Sequence, residues 1–282
     1  MRKKIAFIGV GNMATAIING IISDHAAERV DIADVILFDK NASQTQKFAA
    51  LGASVADSLE EAVLLADCVI LCVKPQNFDE VLPVISAVEG VRSKLFVTIA
   101  AGITTGKVSD AIGGAAVIRV LPNTPMLIGK GVSAICRNAM VSDEDFSFVY
   151  KMFETSSNVL TINEDQMNRI ISVTSSSPAY VFLIIKAMFE GADVQGLLKT
   201  EENPDGLDEK ALIDGICDAI IGSAYLMKSG TKTPDEQIKT VASKGGTTEQ
   251  AIAELEERGV PEAFVSAMIR CTKRADELGQ KK

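Results

Sequence analysis

Short apolar runs alternate with helix-period stretches through the first half of the chain. Residues 4–9, 35–38, 68–73, 95–99 and 115–120 are rich in Val and Ile and nearly continuous in hydrophobicity. Strands buried on both faces read this way, and the helical spacing between them predicts a parallel sheet covered on both sides. Residues 131–136 add a further strand. From about residue 160 the pattern changes. Helical periodicity starts at Val173, covers 207–227 and 249–257, stops at Gly259 and Pro261, and resumes over 263–278. The expectation is a doubly wound, mostly parallel α/β domain over residues 1–160, followed by an all-α domain over 161–282.

The helices of the second half are apolar around much of their circumference: Ile213, Ile216, Ile220, Ile221 and Ala224 fall within one of them. Such a helix has to be buried on more than one side. A domain of this size cannot hide so much surface alone, so these helices are expected to form a homodimer interface. The polar stretch Lys199-Thr-Glu-Glu-Asn-Pro-Asp-Gly206 reads as a loop inserted among them.

Composition then narrows the function classes. A formal net charge of -9 argues against a nucleic-acid binder, which needs a basic face. The longest clean apolar run, residues 179–185, falls far short of the roughly 20 residues that cross a bilayer, so no membrane span is expected. The charged start Met1-Arg-Lys-Lys4 leads into an apolar stretch that breaks at Gly9, a first strand rather than a secretion signal. Cys68, Cys72, Cys136, Cys217 and Cys271 are odd in number and form no CxxC pair. They read as reduced core residues of a cytoplasmic protein. The single histidine, His25, sits in a polar stretch where the first helix should end. Zinc clusters, Ser-His-Asp triads and His-based alcohol dehydrogenation therefore lack their usual ligand or proton carrier, and no metal site is expected.

The first strand runs into Gly9-Val10-Gly11-Asn12-Met13-Ala14, a G-x-G-x-x-A that opens a helix. Gly9 permits the tight turn, Gly11 lets a pyrophosphate approach the backbone, and Ala14 lets helix and strand pack closely. The helix start offers unpaired N–H groups to the phosphates. This placement predicts a dinucleotide-binding Rossmann domain. At the end of strand two, Asp39 suits the ribose hydroxyls of NAD while Lys40 suits the 2′-phosphate of NADP, and the sequence leaves that choice open. Cys72-Val73-Lys74-Pro75, Ala100-Ala101 and the stiff Pro122-Asn123-Thr-Pro125 loop follow later strands, at the carboxyl edge where ligands bind in open α/β sheets. Asn123 is expected beside a nicotinamide ring. In the second half, Ser243-Lys-Gly245-Gly246-Thr247-Thr248 precedes a helix. Thr247 with Gln250 fits a capping box, and the two glycines bare N–H groups able to hold a carboxylate.

Taken in order, Ile8-Gly-Val-Gly-Asn-Met-Ala14, Val73-Lys-Pro75, Ala100-Ala-Gly-Ile-Thr104, Pro122-Asn-Thr-Pro125, Ser177-Pro-Ala-Tyr180, Gly245-Gly-Thr-Thr248 and Ala275-Asp-Glu-Leu-Gly279 span nearly the whole chain. In combination they resemble the pyrroline-5-carboxylate reductase family. The resemblance implies a Rossmann domain followed by a helical dimerisation domain, with dimers gathered into larger rings, up to a decamer of dimers. It implies NADPH as cofactor, NADH also being accepted, held by Gly9, Val10, Gly11, Asn12, Met13, Lys74, Pro75, Ala100 and Ala101. The substrate carboxylate would sit on residues 243–248, with Thr248 beside the ring nitrogen or carboxylate and Glu164 bordering the site. The chain departs from the family pattern at Ser175 and Ser177, which replace glycines, at Lys244, which replaces proline, and in the insert around residues 201–205.

Reduction of a protonated imine needs no base to strip a hydroxyl, which suits a chain with one histidine. The expected reaction is hydride transfer to C5 of 1-pyrroline-5-carboxylate, giving L-proline, with Thr248 as the catalytic residue. One rival is a β-hydroxyacid dehydrogenase, whose inter-domain lysine would have to be Lys186. The other is a nucleotide-binding regulator without catalysis.

Overall fold

The computed structural model describes residues 3–23 and 30–280 of the chain, and His25 lies outside the described residues. The strands are β1 (Ile5–Ile8), β2 (Val35–Phe38), β3 (Ser54–Val55), β4 (Cys68–Leu71), β5 (Leu95–Thr98), β6 (Ala116–Leu121), β7 (Gly131–Arg137) and β8 (Ser157–Thr161). They form one sheet in the order β3-β2-β1-β4-β5-β6-β7-β8. Every pairing is parallel except β6 with β7. Two of these strands were not expected. β3 is two exposed residues at one edge, and β8 at the other edge reads Ser-Asn-Val-Leu-Thr, too polar to stand out.

The first-half helices are α1 (Asn12–Ile21), α2 (Gln46–Ala49), α3 (Leu59–Leu65), α4 (Phe78–Ser86), α5 (Thr105–Ile112) and α6 (Asp143–Glu154). Strand periodicity decides which face each side chain serves. Ile5 and Phe7 of β1, with Cys68 and Ile70 of β4, join a core under α1 and α6. Ala6 and Ile8, with Val69 and Leu71, join a second core under α3, α4 and α5. Fully buried side chains such as Phe7, Phe78 and Phe96 each contribute about 1.5–3 kcal/mol of apolar transfer. Helix starts are pinned by side chains: Ser58, Thr104 and Ser142 accept from the backbone N–H three residues on.

The second half holds α7 (Met167–Ile170), a π-turn (Ile171–Ser175), α8 (Ser177–Val194), α9 (Glu209–Ser229), α10 (Pro234–Val241), α11 (Thr247–Glu257) and α12 (Val260–Gln280). Two compact units result: Met1–Pro178 with Met268–Lys282, and Ala179–Ala267. This differs from the expected division at residues 160 and 161. Met167, Ile171, Cys271 and Ala275 pack with Leu121, Ala134 and Cys136 of the sheet, so α7, the π-turn and the end of α12 belong with the strands.

The smaller unit has a small core of its own. Ala192, Leu212 and Ile216 are buried there, while Phe182, Leu183, Ile221, Tyr225 and Leu226 are exposed. The polar insert is a closed loop: Lys199 N–H donates to Leu207 O at 2.8 Å, and the Asn203 amide donates to Gly196 O at 2.8 Å and Leu198 O at 3.2 Å. The length argument against a membrane span has one exception among the described residues. The helical run Glu164–Val194 is 31 residues long, with mean hydropathy 1.4 in its most apolar 18-residue window, long and apolar enough by length and composition to cross a membrane. Small and polar residues punctuate it without lowering the average below that level. Only 17% of that window is buried within the chain.

Candidate active site

The sheet register aligns the loops on which a dinucleotide would rest. Phe38, Ile8, Leu71, Thr98 and Arg119 lie side by side as partners in one row of strands β2, β1, β4, β5 and β6. The residues that follow therefore emerge together at the carboxyl edge: Gly9, Asp39 and Cys72 each one step beyond it, with Ala100 and Ala101 close behind. The order of strands reverses between β1 and β4, the crevice where nucleotides bind in such sheets. Gly9 has φ +89°, and a Cβ on it would stand 3.2 Å from the Cys72 carbonyl carbon and oxygen. Gly11 is the reverse case, with nothing within 4 Å of where its Cβ would be. One glycine lets the chain turn and the other leaves room above the helix start.

α1 begins at Asn12 with Gly11 as its cap, and no side chain caps it. The first-turn N–H groups have no acceptor within the helix, so they face the open space beside Gly11 and fit a pyrophosphate. Val10 and Ala14 are buried beneath, and Met13 packs on the same core. Lys74 is exposed at the start of the turn Pro75–Asn77, Cys72 and Val73 are half-buried before it, and Ala100 is buried just past β5.

Several expected contacts have other work in this chain. The Asp39 carboxylate accepts from Val10 N–H at 2.7 Å and Asn41 N–H at 2.8 Å, tying the glycine turn to the end of β2. Lys40 pairs with Glu80 across the surface at 2.6 Å. Asn123, expected beside nicotinamide, has its side chain turned into the protein. Its amide donates to Thr174 O at 2.9 Å and its oxygen accepts from Val132 N–H at 2.8 Å. It joins β7 to the π-turn, a helix irregularity found often near functional sites.

Glu164 belongs to a polar network in the same unit. Its carboxylate accepts from Thr105 N–H at 2.6 Å and from the Thr105 hydroxyl, and lies 3.9 Å from Arg119 Nη1. Arg119 is 1% exposed. Burial pulls its pKa down, and Glu164 opposes that. Arg119 Nη2 donates to Asn168 Oδ1 at 2.6 Å, and Asn168 Nδ2 donates to Asp276 Oδ1 at 2.7 Å. Sequence reasoning gave Arg119, Thr105, Asn168 and Asp276 no role. The available signal was a lone arginine inside Ala116-Val-Ile-Arg-Val-Leu121, since a charge in a strand buried on both faces requires partners.

Residues 243–248 lie in the smaller unit. The expected Thr247–Gln250 capping box is absent there: α11 is capped by Gly246, with no side-chain bond. Instead the Glu249 carboxylate accepts from Gly245 N–H at 2.7 Å. The turn geometry forces this, because Gly246 N–H already bonds Ser243 O at 2.9 Å and draws the preceding residues back on themselves. Gly245 has φ +74°, and a Cβ on Gly246 would meet Ser243 Oγ at 2.7 Å. Both glycines are required by the backbone. The N–H groups of Thr247 and Thr248 sit in the first helical turn, where no intrahelical acceptor exists.

All five cysteines are free. Burial pushes the Cys68 and Cys136 thiols up to about 12, and Cys72 higher still. At pH 8 only about one such thiol in 10⁴ is ionised. Iodoacetamide is therefore expected to label Cys68 and Cys136 only after unfolding. Native-state labelling at the rate of a free thiol would contradict their burial.

Residues 164–278 match the family described as pyrroline-5-carboxylate reductase dimerisation. Residues 4–102 match the family of NADP oxidoreductases described as coenzyme F420-dependent. The pyrroline-5-carboxylate reductase of Escherichia coli (strain K12) is 32% identical over 285 residues, covering 99% of this chain and 100% of that protein. The chain belongs to the pyrroline-5-carboxylate reductase family. A solved reductase of this family from Coxiella burnetii superposes with TM-score 0.83 at 26% identity, over 100% of both chains. The Plasmodium falciparum pyrroline carboxylate reductase, solved with NADP bound, shares the fold with TM-score 0.83 at 23% identity, over 99% of this chain and 98% of that one. The Ser177 hydroxyl donates to Thr174 O at 3.2 Å, and the Ser175 hydroxyl is buried without a partner.

Proposed function

We propose that this chain reduces 1-pyrroline-5-carboxylate to L-proline with NADPH, and accepts NADH. The observation that carries the reading is the pair of glycine-built helix starts in one chain: Gly9–Gly11 before α1, shaped for a pyrophosphate, and Gly245–Gly246 before α11, shaped for a small carboxylate. The NADP bound by the Plasmodium falciparum protein and the NADP-oxidoreductase family match support the cofactor.

The reduced nicotinamide supplies a hydride. The protein's part is binding and orientation. The amides at the start of α11 hold the substrate carboxylate, and the positive end of that helix favours its charge. The Thr248 hydroxyl, on the same turn, orients the ring nitrogen. C5 gains the hydride, the C=N π pair moves to nitrogen, and the resulting amine takes a proton from water. Since nitrogen is protonated beforehand, no side chain has to remove a proton, and catalysis rests on position.

Glu249, which occupies one of these N–H groups, has to turn aside for the substrate. Glu164 borders the same reaction space in this reading, and the loops carrying Lys74–Pro75 and Ala100–Ala101 flank the cofactor. Lys40 leaves Glu80 to meet a 2′-phosphate, while Asp39 holds the turn. The lysine that a β-hydroxyacid dehydrogenase requires finds no support, since Lys186 is exposed and pairs with Glu190 one helical turn on at 3.5 Å. The decisive assay follows oxidation of NADPH and of NADH on adding 1-pyrroline-5-carboxylate, with hydroxyacids as controls. Turnover with the imine alone is expected. Turnover with hydroxyacids, or none with the imine, would overturn the reading.

The dimerisation family match supports homo-oligomerisation. The cover proposed for the exposed face of α8 and α9 is a second copy of this chain, with a ring of dimers, up to a decamer of dimers, resting on the resemblance. A cytoplasmic location is supported by the five free thiols, which a reducing compartment preserves. Ile221 is 51% exposed in the single chain. Ile221→Asp is expected to raise the dimer dissociation constant by at least about 100-fold, because a carboxylate would be buried unpaired. Sedimentation of the detergent-free protein checks this, and a stable folded wild-type monomer would contradict it.

A further inference from the structure

The segment Ala275-Asp-Glu-Leu-Gly279 of α12 has no part in the reading above, yet it is built closely against the loop that follows β5. Gly102 in that loop has φ +78°, and a Cβ there would stand 2.7 Å from Ala275 O and 2.8 Å from Gly279 N. The fit is mutual, since a Cβ on Gly279 would overlap the Gly102 carbonyl. Backbone meets backbone, with the Leu278 Cβ alongside, 3.1 Å from where a Gly102 Cβ would stand. Ala275 is 3% exposed at the same contact.

The far end of this loop is held by the polar network. Glu164 receives the Thr105 N–H and hydroxyl, stands beside Arg119, and Arg119 leads through Asn168 to Asp276. The contacts thus leave the loop at Thr105 and return to α12 at Asp276, the residue next to Ala275. Residues 102 and 105 are both anchored, so the loop between them closes a ring. Asn168 is the hinge of the relay: its oxygen faces Arg119 and its amide faces Asp276. Arg119 Nε is already buried without a partner, so Asn168 cannot turn away without leaving the guanidinium still less satisfied.

We propose that Asp276 and Gly279 are positioning residues for the reduction, holding residues 100–104 where the cofactor requires them. The inference rests on the reading that Ala100 and Ala101 touch the cofactor.

Steady-state kinetics with both substrates varied, together with thermal unfolding, test the proposal on the full-length protein. Asp276→Ala is expected to raise KM for NADPH about fivefold, the scale of one ordinary solvent-exposed hydrogen bond. KM for 1-pyrroline-5-carboxylate and the unfolding midpoint should stay close to wild type. Asp276→Asn keeps an acceptor for Asn168 and should restore the wild-type KM. Gly279→Ala should raise KM for NADPH further, and its clash with the Gly102 carbonyl should also lower the unfolding midpoint. If Gly279→Ala does not fold, the Asp276 pair still decides. Unchanged KM for NADPH in Asp276→Ala, or a loss that Asp276→Asn does not rescue, would overturn the proposal. Ala101→Val separates the two levels. If it leaves the cofactor KM unchanged, the loop is not a cofactor contact and the underlying reading fails. If it raises that KM while Asp276→Ala does not, only the positioning role fails.

Discussion

Thr248→Ala is expected to lower kcat for 1-pyrroline-5-carboxylate by about 100-fold, the usual cost of removing one oriented donor from a reacting centre. The dissociation constant for NADPH should remain within about twofold. The split follows from where the residue sits. Thr248 is in the first turn of α11, whereas the pyrophosphate-shaped turn is at the start of α1, so the substitution acts on the imine acid and leaves the dinucleotide turn intact. Thr248→Ser keeps the hydroxyl and should recover most of the rate. Single-turnover reduction with saturating cofactor makes the comparison cleanly, and an unchanged rate in Thr248→Ala would remove the residue from the mechanism.

Glu164→Ala should have the largest effect on stability. It takes the counter-charge from Arg119, which is 1% exposed, and removes the acceptor for two Thr105 donors. Breaking a fully buried ion pair by removing one partner costs about 3–5 kcal/mol. Glu164 is 32% exposed and stands 3.9 Å from the guanidinium, so solvent screens part of that. About 2 kcal/mol is expected, lowering the unfolding midpoint by roughly 4–8 °C in a chain of this length. Glu164→Gln keeps an oxygen for Thr105 N–H and should lose less. A midpoint unchanged in Glu164→Ala would show that the network contributes nothing to stability. A raised KM for the imine in the milder Glu164→Gln would add support for the residue bordering the substrate.

What the sequence disclosed, and what it hid, follows from the range of the physics involved. The Gly9 turn was legible because its cause is local: one backbone angle and one close approach, both written in adjacent residues. The doubly wound sheet was legible because burial on both faces leaves continuous apolar runs. The edges β3 and β8 were not, since an edge strand need satisfy only one neighbour and can be short or polar. Asp39 and Asn123 were placed near the right loops, but the partners they bond are set by folding. Val10 lies 29 residues from Asp39, and Thr174 lies 51 from Asn123. The expected Thr247–Gln250 cap did not form because α11 starts at Thr247 itself with Gly246 as its cap, and the bond made there runs from Gly245 N–H to Glu249. The network from Thr105 to Asp276 joins four separate segments, and only the isolated arginine in β6 pointed to it.

The carboxylate grip at residues 245–248 is best tested by removing the carboxylate from the substrate. Reduction of 1-pyrroline-5-carboxylate is compared with that of 1-pyrroline, which has the same C=N bond and no acid group. Loss of a charge-assisted contact of this kind corresponds to a factor of at least about 100 in kcat/KM, and that preference is expected for the wild type and should shrink in Gly246→Ala. Equal kcat/KM for the two imines would contradict the account.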